Sequence, residues 1–164
     1  MKIRRMTRRD LPELTALVVE FGRLLARMEG KRRRIDAAKV GKALAEGLGG
    51  KRFFNGLIAM EKGKAQGYLL YSLGFSMEHC CGTLVISDFF VSAKARRNGT
   101  GRALFASASD LARQRGCGRM EWMVWDINAP AIAFYRAMGA EAVSDELLMG
   151  VSLTKPLYRK AGLN

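Results

Sequence analysis

Val91-Ser-Ala-Lys-Ala-Arg96-Arg-Asn-Gly99-Thr-Gly101-Arg-Ala-Leu104 follows an apolar run from Leu84 to Val91, and this stretch decides the fold. The run predicts a β-strand, and Leu104, Ala108 and Leu111 share one face of the helix that should begin in the loop. Glycines at 99 and 101 permit a tight turn and remove side chains that would hold a ligand away. The first helical turn then offers N–H groups without intrahelical partners, at the positive end of the helix dipole. Arg96, Arg97 and Arg102 surround them with positive charge. Such a loop suits a pyrophosphate, and a phosphate-bearing cofactor is the expectation. Two glycines ahead of a helix are also an ordinary turn, so the loop alone does not establish it. Neither G-x-x-x-x-G-K-S/T nor G-x-G-x-x-G is present, which disfavours a kinase and a dinucleotide-dependent dehydrogenase.

Outward from this stretch the chain reads as alternating elements. Lys2 to Met6 predicts a short strand. Asp10-Leu-Pro-Glu opens a helix that carries Leu14, Leu17, Val18, Phe21, Leu24, Leu25 and Met28 and closes at Gly30. A second helix is expected from Asp36 to Leu48. Phe53 to Met60 and Gln66 to Phe75 predict a hairpin about Glu61-Lys-Gly-Lys64. Thr83 to Val91 is the next strand, and Cys117 to Asp126 another. Asn128 caps a short helix with Pro130 in its first turn and Gly139 at its end. Strands at Glu141 to Ser144 and Leu147 to Leu153 finish the order βααβββαβαββ. The fold class is α/β: a single domain, 1–164, with a mixed sheet flanked by helices.

The 164 residues suffice for one core, and 49% hydrophobic content describes a globular chain. No apolar run reaches the roughly 18–20 residues that span a bilayer, so no membrane partner is expected. Three cysteines, 80, 81 and 117, are an odd count. They are read as buried small side chains in a reducing, cytoplasmic setting. Net charge is +13, and 11 of the 28 Lys and Arg lie within residues 1–34 against four acids. Lys31-Arg-Arg-Arg34 has no interleaved aromatics and follows an amphipathic helix, so nucleic acid is not expected as a partner. A polyphosphate cofactor or an acidic substrate fits the charge better. His79, the only histidine, reads as a surface residue, and no metal-ligand spacing occurs.

Two motifs together carry a resemblance. Arg96-x-x-Gly99-x-Gly101 after an apolar strand resembles the acetyl-CoA pyrophosphate motif of the GNAT superfamily of N-acetyltransferases. Asn128-Ala-Pro-Ala-Ile-Ala-Phe134-Tyr135-Arg-Ala-Met-Gly139-Ala140 is similar to that family's second signature. Asp88-Phe-Phe-Val91 and residues 121–140 look most like the diamine acetyltransferases, of the spermidine/spermine and thialysine kinds. The resemblance implies a GNAT-like, mostly antiparallel central sheet, acetyl-CoA as cofactor, and a homodimer. It implies that Phe89, Phe90 and Val91 offer backbone groups to the pantetheine arm, as if to an added strand. Arg96, Arg97, Asn98, Gly99, Thr100, Gly101 and Arg102 would wrap the pyrophosphate, with Asn128, Ala131 and Phe134 completing the cofactor site. Tyr135 would be the catalytic acid that protonates the departing thiolate.

The acceptor must be an amine that loses a proton before attack, to a base through water or by binding in its neutral form. Ser87, Asp88 and Glu121 are the candidate substrate-binding residues. The polyamine-acetylating relatives carry a glutamate where this chain has Ser87, and a hydroxyl cannot balance an ammonium. On a regular strand Asp88 would point to the face opposite Ser87. The expected acceptor is therefore a small-molecule primary amine of lower charge: an amine, an amino acid or a related metabolite. Two alternatives stand beside it: a protein N-terminal or lysine acetyltransferase, and a non-catalytic acyl-CoA-binding regulator.

Overall fold

In the computed structural model residues 1–143 are described. The strands are β1 (Lys2–Arg5), β2 (Asn55–Glu61), β3 (Lys64–Ser76), β4 (Cys81–Val91) and β5 (Cys117–Trp122). The helices are α1 (Leu11–Met28), α2 (Ala37–Ala45), α3 (Thr100–Gln114) and α4 (Ala129–Ala137). Contacts divide the chain into a unit of Met1–Trp125, which holds the sheet and α1 to α3, and a second unit from Asp126. The sheet runs β1-β2-β3-β4-β5, antiparallel except for the parallel β4–β5 pair that α3 connects.

Local chemistry sets the boundaries. Asp36 accepts from the N–H groups of Ala38 and Lys39 at 2.9 and 3.1 Å and starts α2. The β2–β3 hairpin turns through Lys62 and Gly63, both at positive φ (48° and 77°), which matches the twist of the flanking strands. Phe89 meets Phe105 of α3 at 6.5 Å between ring centroids, while Phe90 meets Phe21 of α1 at 5.1 Å. Adjacent strand residues point to opposite faces, so α1 and α3 cover opposite sides of the sheet. On the α1–α2 side Met6, Leu14, Leu17, Leu44, Ile58, Tyr68, Leu70 and Phe90 form one buried cluster. On the other side α3 buries Leu104, Phe105, Ala108, Leu111 and Ala112.

Several expected boundaries move, three of them with consequences for the site. The strand expected from Phe53 begins at Asn55, and Phe53 is exposed. Regular α2 ends at Ala45 and continues as a wider turn through Glu46–Gly50. The strand expected to reach Asp126 stops at Trp122, where β4, its only partner among the described residues, ceases to pair with it. Glu141 to Val143 take no regular structure, and Ser144 and the strand expected at Leu147 to Leu153 lie outside the described residues.

A partly buried ion pair ties β1 to the start of α1. Asp10 receives Arg4 through two hydrogen bonds, 2.6 and 2.7 Å, and also the Thr7 N–H at 2.8 Å and hydroxyl at 3.1 Å. Chiefly through the Arg4 hydrogen bond, and against the effect of burial, its carboxyl is held down to about 2. A folded value below the unfolded one stabilises the fold above the unfolded pKa, and this is lost as pH falls through the folded one. Asp10→Asn should therefore cost about 1–2 kcal/mol near neutral pH, read by urea unfolding and discounted for Arg4 lying at the surface. The gap to the wild type should close between about pH 4 and pH 2.

Candidate active site

β4 keeps β3 as a partner to its last residue, Gly67↔Val91, but its pairing with β5 ends at Ile86↔Trp122. The sheet therefore opens between β4 and β5 beyond that point. A bulge sits at the same place: the β3–β4 pairing passes from Tyr71↔Ile86 to Leu70↔Asp88, and Ser87 is the extra residue. Leu70 faces the α1–α2 cluster, so Asp88 opposite it does too, whereas Tyr71 and Ile86 face the other way. Without the bulge, Ile86 and Asp88 would share a face. The simple alternation expected at Ser87 and Asp88 is thus interrupted, leaving Ser87 exposed and Asp88 half-buried.

The Tyr68 hydroxyl donates to Asp88 Oδ2 at 2.8 Å. Burial pushes the Asp88 carboxyl up to about 6, against the hydrogen bonds from Tyr68 and the Phe89 N–H. Burial, with the Asp88 charge beside it, moves the Tyr68 phenol upward also. Tyr68 is then a fixed donor, and Asp88 is the group here that can take or release a proton near neutral pH.

Past Val91 the chain is anchored at several points. Ser92 N–H donates to the Gln66 carbonyl at 2.9 Å. Glu20 of α1 accepts from the Ala93 N–H at 3.0 Å and the Ser92 hydroxyl at 3.3 Å. Arg96 folds back, donating from Nε to the Val91 carbonyl at 3.1 Å, with its guanidinium 5.6 Å from the centre of the Phe90 ring. The motif's first arginine thus braces the strand end. Arg97, Asn98, Gly99 and Arg102 are exposed, while Thr100 is buried and Gly101 half-buried. Arg97 and Gly99 have φ of 66° and 77°. Left-handed residues interleaved in a turn are the geometry in which successive N–H groups converge on an anion. A Cβ added at Gly99 would meet nothing within 4 Å, so backbone conformation is what calls for glycine there. At Gly67 the reason is space: a Cβ there would lie 2.7 Å from the Phe90 carbonyl oxygen. The loop residues present fit a pyrophosphate.

Asn128, Ala131, Phe134 and Tyr135 belong to the second unit. Asn128 Oδ1 accepts from the Ala131 N–H at 3.3 Å, the cap expected of it. Tyr135 is half-buried, with the Phe134 ring at 5.4 Å and edge-on. Glu121 accepts from Arg119 Nε at 3.0 Å, so its charge is already balanced. The cysteines depart from the buried role expected of them: Cys80 is exposed and Cys81 and Cys117 half-buried, because they sit at the open end of the β3–β4–β5 edge. Sequence reading assigned no individual role to Glu20 or Tyr68. The only signal for Glu20 was an acid amid apolar helix positions, and Tyr68 sits 20 residues from the carboxylate it serves.

Residues 27–140 match the model of the acetyltransferase (GNAT) family, and the chain belongs to that family. It is 46% identical over 56 residues to a streptothricin acetyltransferase of Streptomyces lavendulae, covering 34% of this chain and 30% of that protein. It is 28% identical over 108 residues to a thialysine N-epsilon-acetyltransferase of Mus musculus, covering 62% of this chain and 64% of that one. The chain thus spans under two thirds of the length of each of these relatives. A crystal structure of a probable acetyltransferase superposes with a TM-score of 0.78 at 19% identity, over 95% of this chain and 100% of that one, which shows the fold. No described helix is long and apolar enough to cross a membrane.

Glu20 makes a checkable claim about the loop. Glu20→Ala should speed amide hydrogen exchange at Ala93 about tenfold or more, since a hydrogen bond to a charged group is lost. Glu20→Gln keeps an acceptor oxygen and should change it less.

Proposed function

We propose that the chain is an acetyl-CoA-dependent N-acetyltransferase that moves the acetyl group directly to a primary amine of a small molecule. The observation that carries this is the parting of β5 from β4 at Ile86↔Trp122, with the freed stretch of β4 leading into the loop of Arg97 and Gly99. When bound, acetyl-CoA supplies an activated thioester and a thiolate leaving group. The Phe89 to Val91 backbone would align the pantetheine arm. The loop N–H groups with Arg97 and Arg102 would hold the pyrophosphate. A β4 backbone N–H on the edge freed from β5 would donate to the carbonyl oxygen as charge builds there. Asp88 would take the proton that the acceptor ammonium must lose, and Tyr135 would give its proton to sulfur as the C–S bond breaks and the C–N bond forms. The similar streptothricin and thialysine enzymes, by their names, act on small molecules, which supports the small-molecule reading. A cytoplasmic homodimer belongs to the same reading, by resemblance to the family.

Free thiol released from acetyl-CoA against a panel of amines, amino acids and short peptides tests it. Tyr135→Phe should lower kcat by about 10²- to 10⁴-fold on the responding amine. Unchanged turnover would remove Tyr135 from the chemistry. Turnover confined to peptides would establish a protein acetyltransferase, and tight coenzyme A binding without turnover would establish a regulator.

Asp88 supplies a pH signature. The acidic limb of kcat/KM should bend near about 6 and vanish in Asp88→Asn, with lower activity throughout. A carboxyl raised above its unfolded value destabilises the fold as pH rises through the folded value. Asp88→Asn should therefore gain stability relative to the wild type between about pH 4 and pH 7, read by thermal unfolding.

A further inference from the structure

A cavity of about 380 Å³ opens at the β1–β2 side of the sheet, lined in part by Arg5, Arg8, Arg52, Asn55 and Tyr71. It is centred on the edge opposite β5, and β1 lies three strand spacings, roughly 14 Å, from β4. Among the described residues its lining contains three arginines and no carboxylate. Among the described residues none of these three arginines is in an ion pair, in contrast to Arg4, whose guanidinium is committed to Asp10.

Two features show that the wall is shaped to present these groups. Gly49 lies against Arg8: a Cβ on it would clash with the guanidinium, at 2.3 Å from Nε. Its bare backbone gives that head group its place. Arg52 is held at φ 51°, a left-handed conformation that side-chain-bearing residues rarely adopt. The Tyr71 phenol is buried against the cavity, and the charges of Arg5 and Arg115 bear on it. Like charges gathered on one concave wall repel unless an anion joins them, and planar guanidinium forks match carboxylate and phosphate oxygens. The volume falls in the range of small-molecule sites.

We propose that this cavity is a second anion site, separate from the 96–102 loop, that takes a small molecule bearing phosphate or multiple carboxylate groups. It is independent of the acetyl-transfer reading. The test is calorimetric titration of the full chain, saturated with coenzyme A, using pyrophosphate in one arm and citrate in the other; the tighter arm assigns phosphate or carboxylate chemistry. Binding of at least one is expected, weakened roughly tenfold by Arg8→Gln and by Arg52→Gln, with coenzyme A affinity unchanged. Gly49→Ala keeps the net charge and displaces only the flexible Arg8 head, so it should weaken the anion several-fold without lowering the thermal midpoint appreciably. Four results would overturn the proposal. They are no binding of either anion, binding abolished by coenzyme A, affinity indifferent to all three substitutions, and a short single-stranded RNA that outcompetes both anions through the same arginines.

Discussion

β4 carries two obligations that a regular strand could not meet together. One edge must stay hydrogen-bonded to β3 from Ser76↔Cys81 to Gly67↔Val91, or the central sheet loses its continuity. The other edge holds β5 only from Gly82↔Cys117 to Ile86↔Trp122. The extra residue at Ser87 lets both hold. It shifts alternation by one, so that Ile86 before it packs beneath α3 while Asp88 and Phe90 after it pack beneath α1. Added twist at a bulge also turns the strand away from its neighbour. The opening, the burial of Asp88 and the entry into the loop thus share one cause.

The basic side chains divide by what they touch. Arg4 is consumed by Asp10, and Arg96 by the Val91 carbonyl and the Phe90 ring. Both hold chain segments in place. Arg97 and Arg102 in the loop, and Arg5, Arg8 and Arg52 around the cavity, are exposed. A net charge of +13 is therefore more than a diffuse cloud: the loop and the cavity each collect arginines that no acid neutralises among the described ion pairs. Acids are spent sparingly, and Glu20 is placed where one carboxylate holds two donors of the segment leading into the loop.

The strand–loop–helix at 84–111 was legible because periodicity, glycine and charge agreed there, and the Lys62-Gly63 hairpin because turn chemistry is local. The ends of β2 and β5 were not. Phe53 and Met123 to Trp125 read as strand by composition, yet they are exposed, since a strand lasts only as long as its partner. The bulge left no trace either: Ile86-Ser-Asp-Phe reads as ordinary alternation, and only cross-strand register shows that Ser87 is supernumerary. The partner of Glu121 was not read either, although Arg119 two residues back lies on the same face and pairs with it. Asp88 was legible as a candidate, but its partner Tyr68 lies on another strand, and its proton affinity comes from burial that composition does not report.

On the proposed reading, the Ser87–Asp88 pair bears directly on acceptor choice. A carboxyl raised to about 6 is half ionised there and can accept one proton, but it holds only one negative charge when ionised. Tyr68 already fills one of its acceptor positions. Glu121 is neutralised by Arg119, and Ser87 brings no charge. One carboxylate serves one ammonium, and every further cationic group on the acceptor would meet the field of a chain with 28 basic and 15 acidic side chains. Charge balance therefore favours an acceptor with a single ammonium and a neutral or anionic remainder, as in an amino acid, over a polyamine.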